Sequence, residues 1–303
     1  MIHELLNKYS NQTVILIDMS WVLYRSHYAY ASLTNQEGES TGSYYGLGRT
    51  IQTLKTSYPN ALILLVDDGH PYERKQLNES YKGNREHSVH FRDKKFTVDC
   101  MIQMIPDVYR IYNSIVEADD MMFSISRIKQ FNNQFIIYTS DKDLYQALDD
   151  TTLLASEINK GYLVTKDVTH EQYTKNFMDL HPRQLPYFRA VLGDPSDNLK
   201  IIIPRFPSKV AYYFAKNCIK YDGYELHITK PTTKPDDLTE KQYDWLLQIY
   251  SSKEFIDNLK IMQLSYIDDI PVIPKNRQTT DISDTLSNLE LHQYWKWIQD
   301  LYS

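Results

Sequence analysis

The sequence predicts an α/β fold: a mostly parallel central sheet flanked by helices, with a cation-rich segment over its carboxyl edge and a smaller helical region after it. Three observations carry that prediction. Short apolar runs recur and each closes on aspartate: Val14-Ile15-Leu16-Ile17 before Asp18, residues 61–66 before Asp67-Asp68, and Phe135-Ile136-Ile137-Tyr138 shortly before Asp141. Continuous apolar runs of this length suit strands buried on both faces. Helical periodicity fills the gaps between them, as parallel crossovers require. Acidic side chains then collect where strands end and helices begin.

Thr13–Asp18 reads as the first buried strand, with a carboxylate at its carboxyl end. Met19-Ser20-Trp21-Val22-Leu23-Tyr24-Arg25 turns into a helix carrying Arg25 one to two turns in. A second helix covers residues 43–58, and the strand over 61–66 follows it. A lone strand-end Asp is usually a turn or cap residue. Asp18, Asp67 and Asp141 together imply more, because a parallel sheet gathers those ends at one edge, where open α/β sheets build their sites.

Residues 116–143 are the most informative stretch. Glu117 and Asp120 are three apart and share a helix face. The same helix repeats Ala118, Met121, Met122, Ile125 and Ile128 at helical spacing. Asp141 and Asp143 lie just past the following strand. Carboxylates this dense repel one another unless cations neutralise them, and hard oxygen ligands suit magnesium or manganese. Taken alone, Glu117-Asp119-Asp120 is equally well explained by carboxylates favouring the positive end of a helix dipole.

At 303 residues the chain holds one large α/β domain, or a large and a small one. Its 33 basic and 39 acidic residues leave a net charge of -6, which by itself argues against a nucleic-acid binder. Global charge is a weak guide when many acids are metal ligands and the cations are clustered. Cys100 and Cys218 form no disulfide framework and have no metal-ligand spacing, so a reducing compartment is expected. No apolar run approaches a membrane span, and a cytoplasmic location without membrane contact is expected. Pro231 and Pro235 mark the clearest linker, over 229–235, with softer boundaries near His181-Pro182 and over 271–280. Glu171–Phe177 reads as a helix, with His170 a surface residue before it. The segment 71–95 places Arg74, Lys75, Lys82, Arg85, Arg92, Lys94 and Lys95 against four acids. Cations beside an acidic metal site are what a phosphodiester substrate needs, although a solvated charged helix would read the same way.

These residues support a resemblance. Asp18-x-Ser20-x-x-Leu23-Tyr24-Arg25 resembles the opening motif of the flap endonuclease and 5′–3′ exonuclease family. Val66-Asp67, Arg74 and Tyr81-Lys82-Gly83-Asn84-Arg85 are similar to its second motif and the base of its helical arch, and the spacing selects Asp67 over Asp68. Glu117-Ala118-Asp119-Asp120 and Ser140-Asp141-Lys142-Asp143 match the third and fourth motifs. Gly193-Asp194-Pro195-Ser196-Asp197-Asn198 matches the fifth, which opens a helix–three-turn–helix element. The matches run in family order from Val14 to about Lys209. Leu238-Thr239-Glu240, Tyr243, Asn258-Leu259 and Tyr266 to Ile270 look like the phage RNase H branch.

The resemblance implies a two-metal phosphodiesterase. Asp18, Asp67, Glu117 and Asp119 would hold the first magnesium, and Asp120, Asp141, Asp143, Asp194 and Asp197 the second, with manganese able to substitute. Lys82 and Arg85 would offset charge on the scissile phosphate. Arg25 and Arg74 would hold neighbouring phosphates, and Tyr81 would either stack on a terminal base or pack in the arch. It also implies a nuclease domain over 1–180 with its arch at about 71–105, a duplex-binding region over 181–275, and a helical tail over 276–303. The expected substrates are DNA and RNA–DNA duplexes with a 5′ flap or 5′ end, cut by a monomer during primer removal, beside a replication polymerase or single-strand-binding protein.

The chain departs from the family at the hairpin after Asn198, which normally carries Gly. Here it reads Ile201-Ile202-Ile203-Pro204-Arg205-Phe206-Pro207-Ser208-Lys209, and Pro207 has no N–H to offer. Either Arg205, Ser208 and Lys209 grip duplex in a variant way, or the segment is simply packed. A potassium ion there is disfavoured. Two rival functions remain: a single-strand RNase of the PIN type, and a catalytically silent structure-binding protein. The arch-base and fifth motifs speak against the first, and the full set of carboxylates against the second.

Overall fold

Aliphatic runs with no polar residue before the terminal Asp form the middle of the sheet. The computed structural model describes residues 2–83, 94–221 and 226–302. Its strands β1 (Thr13–Asp18), β2 (Leu62–Asp67), β3 (Val108–Tyr112), β4 (Gln134–Tyr138), β5 (Thr152–Asn159) and β6 (Tyr162–Lys166) lie in the order β3-β2-β1-β4-β5-β6. The first five are mutually parallel and β6 returns antiparallel to β5. The predicted α/β class with a mostly parallel sheet is therefore the observed one. Strand order reverses at β1, between β2 and β4, so the crevice outside the carboxyl ends of β1 and β4 is the natural ligand position.

The helices in chain order are α1 (Ile2–Lys8), α2 (Met19–Ala29), α3 (Gly42–Ser57), α4 (Tyr72–Leu77), α5 (Lys94–Ile102), α6 (Ala118–Ser126) and α7 (Glu171–Phe177). After them come α8 (Leu185–Leu192), α9 (Ser208–Tyr213), α10 (Glu240–Ile249), α11 (Lys253–Met262), α12 (Thr279–Asn288) and α13 (His292–Asp300). The helix expected over 43–58 is α3, shifted by one residue, and α7 spans the expected bounds. His170 has a local role: it caps α7, its Nδ1 accepting from the Gln172 backbone N–H at 3.1 Å.

Strand alternation divides the core into two faces. Val14, Leu16, Leu62, Leu64 and Val66 pack under α6 with Met121, Met122 and Ile125, and that cluster continues into Val210, Leu246 and Ile261. Ile15, Ile17, Ile63 and Leu65 pack on the other face with Leu47, Val98 and Met101, joined there by Ile282, Tyr294 and Ile298 from α12 and α13. The chain reaches those last helices along the β3 edge, where the Ile273 N–H donates to the Arg110 carbonyl at 2.9 Å. Residues 229–235 form no regular element, as the two prolines require. No helix among the described residues is long and apolar enough to cross a membrane.

Helix α8, the turns through 193–207 and α9 form the expected helix–turn–helix region. Asn258 on α11 clamps it: its buried Nδ2 donates to the Ala190 carbonyl at 3.0 Å and the Lys200 carbonyl at 2.8 Å. Asn258→Ala leaves both acceptors without that donor. It is expected to cost about 1–3 kcal/mol of stability, read as a lower denaturation midpoint with an unchanged denaturant slope.

Candidate metal centre and nucleic-acid interface

Register decides which acids meet. Asp18 at the end of β1 is paired with Val66, and Asp67 with Tyr112. Successive side chains alternate, so Asp18, Val66 and the next-but-one residue, Asp68, share the α6 face, while Asp67 turns to the α5 face. Gly69 permits this strand end: a Cβ there would lie 2.0 Å from the Asn113 carbonyl oxygen. That close approach lets the Ala118 N–H donate to Asp68 Oδ1 at 3.0 Å. Asp67, the ligand expected from its spacing to Arg74 and Lys82, thus turns to the other face of the sheet from Asp18, and Asp68 lies on the Asp18 face. Asp67 is fully buried, with Lys94 Nζ 2.7 Å and Arg110 Nη1 3.7 Å from its oxygens. Arg110 in turn makes a bidentate pair with Asp99 at 2.7 and 2.9 Å.

Asp18, Asp68, Asp119 and Asp141 make up the electrostatic cluster. Burial, then Asp68 and Asp141, push the Asp18 carboxyl up to about 7, against hydrogen bonds from the Trp21 N–H and Thr139 Oγ1 that hold it down. Burial and then Asp141 raise Asp119 well above the carboxylate range, with Asp18 and Asp68 adding to the effect. Asp141 is set by its neighbours, its N–H donating to Thr139 Oγ1 at 3.1 Å and its Oδ1 accepting from the Asp143 N–H at 2.8 Å.

The remaining predicted ligands face cations of the protein itself. Glu117 lies between Lys82 and Arg74. Burial pushes it up, but these two cations hold it below the usual range. Arg74 also binds both Asp120 oxygens, at 2.6 and 2.8 Å, and donates from Nε to the Ile261 carbonyl at 2.8 Å. Arg74 is buried and spends its donors internally, so its expected phosphate contact is corrected to that of an internal clamp. Asp143 and Asp194 share Arg189 on α8, a residue the sequence reading did not single out. Its position five residues before Asp194, on the helix leading into that motif, was the available signal. Asp197 is buried, and its carbonyl accepts from the Lys82 N–H at 3.2 Å. Of the second expected ligand set, Asp120 is thus held by Arg74, and Asp143 and Asp194 by Arg189, with Asp143 also hydrogen-bonded to Asp141 through its N–H.

Arch base and hairpin are tied together. Lys82 has a left-handed backbone, φ 54°, and Asn198 Nδ2 donates to the Ser80 carbonyl at 3.1 Å beside it. Lys82 Nζ reaches Glu117 at 2.5 Å, and despite burial Glu117, Tyr81 and Asp119 hold it protonated. Tyr81 is 3% exposed, so the stacking alternative is corrected: its ring is packed under Lys82 and has no face for a base. Arg25 is exposed, anchored by donating from Nη1 to Tyr138 at 2.9 Å. Arg205, Ser208 and Lys209 are exposed on the hairpin, and Arg205 takes φ 62° where Gly would be unstrained. Arg85 lies outside the described residues.

Residues 13–177 match the family model described as the 5′-3′ exonuclease, N-terminal resolvase-like domain. The chain belongs to that family. Among curated relatives it is similar to a 5′-3′ exonuclease of Buchnera aphidicola, 25% identical over 242 residues that cover 76% of this chain and 79% of the relative. It is also similar to a thermostable DNA polymerase I of Thermus thermophilus, 27% identical over 61% of this chain and 22% of the polymerase. Two solved structures share the fold. The 5′-exonuclease of T5 with bound zinc superposes with TM-score 0.55 at 16% identity, over 96% of this chain and all (100%) of that one. Flap endonuclease-1 of Methanococcus jannaschii gives TM-score 0.56 at 11% identity, over 98% and 93%.

In this exonuclease-family chain no three carboxylates, histidines or cysteines among the described residues converge into a ready-made cage. The donor set nonetheless fits divalent ions. It consists of hard oxygens only, and burial followed by repulsion from neighbouring acids raises Asp18 and Asp119, a strain that a dication relieves. A carboxyl raised on folding adds stability that is complete below its unfolded value, near 4, and is lost as pH rises through about 7. Magnesium competes with that proton. The rise in melting temperature on adding magnesium to EDTA-treated protein is therefore expected to grow from pH 5 to pH 8 at fixed ionic strength. A gain independent of pH would count against these carboxyls as the binding groups.

Proposed function

We propose that the chain is a magnesium-dependent, structure-specific 5′ nuclease, hydrolysing phosphodiesters at 5′ ends or flaps of DNA and RNA–DNA duplexes. One observation carries the reading. Asp18, Asp68, Asp119 and Asp141 repel one another at the switch point of a parallel sheet, with Lys82 held at their rim. In this reading Asp68 joins the cluster, beside the expected ligand Asp67. Divalent ions, two by family resemblance, supply activation of water and Lewis-acid stabilisation of the scissile phosphate when bound, and manganese is expected to substitute.

The chain's own residues do the rest. Lys82 stays charged and sits where it can offset charge building on phosphate oxygens. Among the described residues the anchor of Arg25 engages only Nη1, which leaves its other donors for an adjacent phosphate. The exposed Arg205, Ser208 and Lys209 suit a duplex backbone, and the lack of Gly there still argues against potassium. Arg74 and Arg189 hold Glu117, Asp120, Asp143 and Asp194 in place without metal; ligation of a second ion by Asp143 or Asp194 requires Arg189 to give way. The working assignment is a nuclease part over 1–180 with its arch, duplex binding by 181–275, and a tail over 276–303 that packs on the sheet. Primer or flap removal by a monomer in the cytoplasm, beside a replication polymerase or single-strand-binding protein, is the role that fits this chemistry.

The test is cleavage of a 5′-labelled flap duplex in magnesium, beside EDTA. Metal-dependent product at the junction or 5′ end supports the reading, whereas tight binding with no turnover under any divalent ion would make the chain a binding protein. Asp141→Asn is expected to abolish product while duplex affinity stays within a few-fold, and retained turnover would remove Asp141 from the centre. Lys82→Ala is expected to lower the single-turnover rate by roughly one to three orders of magnitude. An unchanged rate would make Lys82 structural only.

A further inference from the structure

At the opposite edge of the sheet, around the amino ends of β4 and β5, a groove of about 1200 Å³ contains Arg127, Arg183, His181 and Asp149. Its two guanidiniums make one ion pair between them among the described residues, Arg127 with Asp149. Asp149 alone serves both Arg127, at 2.6 Å, and Lys129, at 3.0 Å. Arg127 Nε is buried without any hydrogen-bond acceptor. Arg183 makes no ion pair among the described residues, and its guanidinium lies 4.9 Å from the Phe123 ring centroid, with that of Arg127 at 5.1 Å from the same ring. Two guanidiniums are thus gathered on one aromatic ring, and only that of Arg127 is paired with a carboxylate. The other acids are engaged or solvated: Asp179 pairs with Lys216, Asp167 accepts from Thr169, and Asp150 is exposed.

The local field reflects the closeness of the two guanidiniums. Burial, then Arg183, lowers Arg127 to about 10. Burial, then Arg183 and Arg127, also lowers His181. A buried unpaired guanidinium N–H beside a second unpaired guanidinium is costly unless an anion completes it. Planar forks of this kind match phosphate oxygens in two-point contact.

We propose that this groove binds a phosphate-class dianion, either inorganic phosphate or the phosphoryl group of a nucleoside 5′-monophosphate, on Arg183 and Arg127. The site is separate from the carboxylate centre, which lies at the other ends of β1 and β4. Neither arginine takes part in the proposed cleavage chemistry.

Isothermal titration calorimetry of the full chain in EDTA, at constant ionic strength in chloride, tests the proposal with inorganic phosphate and, separately, deoxyadenosine 5′-monophosphate. Saturable binding is expected, weakened at least about tenfold by Arg183→Ala and restored only in part by Arg183→Lys, which keeps the charge but loses the fork. Arg183 is partly exposed and unpaired, so Arg183→Ala should fold with unchanged circular dichroism and unchanged flap cleavage in magnesium. Tighter binding of the nucleotide would support a nucleotide occupant, and equal binding a bare phosphoryl group. Non-saturable heats, or equal affinity in wild type and Arg183→Ala, would overturn the site. Loss of cleavage in step with lost phosphate binding would overturn its separateness.

Discussion

Repulsion among like charges at the carboxyl edge of a parallel sheet is the constraint on which the rest of this structure depends. Parallel pairing forces the ends of β1, β2 and β4 together, and each end carries acid. The protein answers in two ways. One group of carboxylates is neutralised from within by Arg74, Lys82, Lys94, Arg110 and Arg189. Asp18 and Asp119 are instead pushed up by burial and then by their acidic neighbours, Asp68 and Asp141 among them, with Lys82 at the rim opposing the effect on Asp119. Buried ion pairs add little net stability, since desolvation offsets attraction, but removing one partner is costly. The internal cations therefore act mainly as positional constraints. They fix helix α6, the arch base and α8 around an acidic centre whose repulsion a proton or an external dication relieves.

That division also links the chemistry to substrate binding. Lys82 belongs to both sides: its side chain faces Glu117 and its backbone is held by the Asp197 carbonyl. Asn198 ties the same turn to Ser80. The element expected to carry duplex is thus hydrogen-bonded directly to the residue expected to meet the scissile phosphate. Asn258 fixes the same region from α11, so three contacts across different elements set one relative position.

Much of this was legible in the residues. Strand identity followed from apolar runs, and the helix of Met121, Met122 and Ile125 from its period, because burial on both faces leaves an unmistakable pattern. Family membership followed from the order of the acidic motifs. What the sequence could not supply was register and partner choice. Asp67 and Asp68 are adjacent, and only the pairing of β1 with β2 decides which one shares the face of Asp18; linear spacing to Lys82 carries no information about that face. Arg74 read as a phosphate contact because its charge was visible while its buried acceptors, Asp120 and the Ile261 carbonyl, lie 46 and 187 residues away in the chain. Tyr81 was left open between stacking and packing for the same reason: exposure is a tertiary property. Arg189 carried no periodic or motif signal beyond its closeness to Asp194.

The central claim is that the mutually repelling acids around Asp18 and Asp119 are the metal ligands. Anomalous difference density from a crystal soaked in manganese, measured at the manganese edge, tests it most directly. The account predicts a peak coordinated by Asp18, Asp68 and Asp119 or Asp141, with Lys94 still paired to Asp67. A peak bound to Asp67 with Lys94 displaced, or no peak at this edge of the sheet, would contradict it.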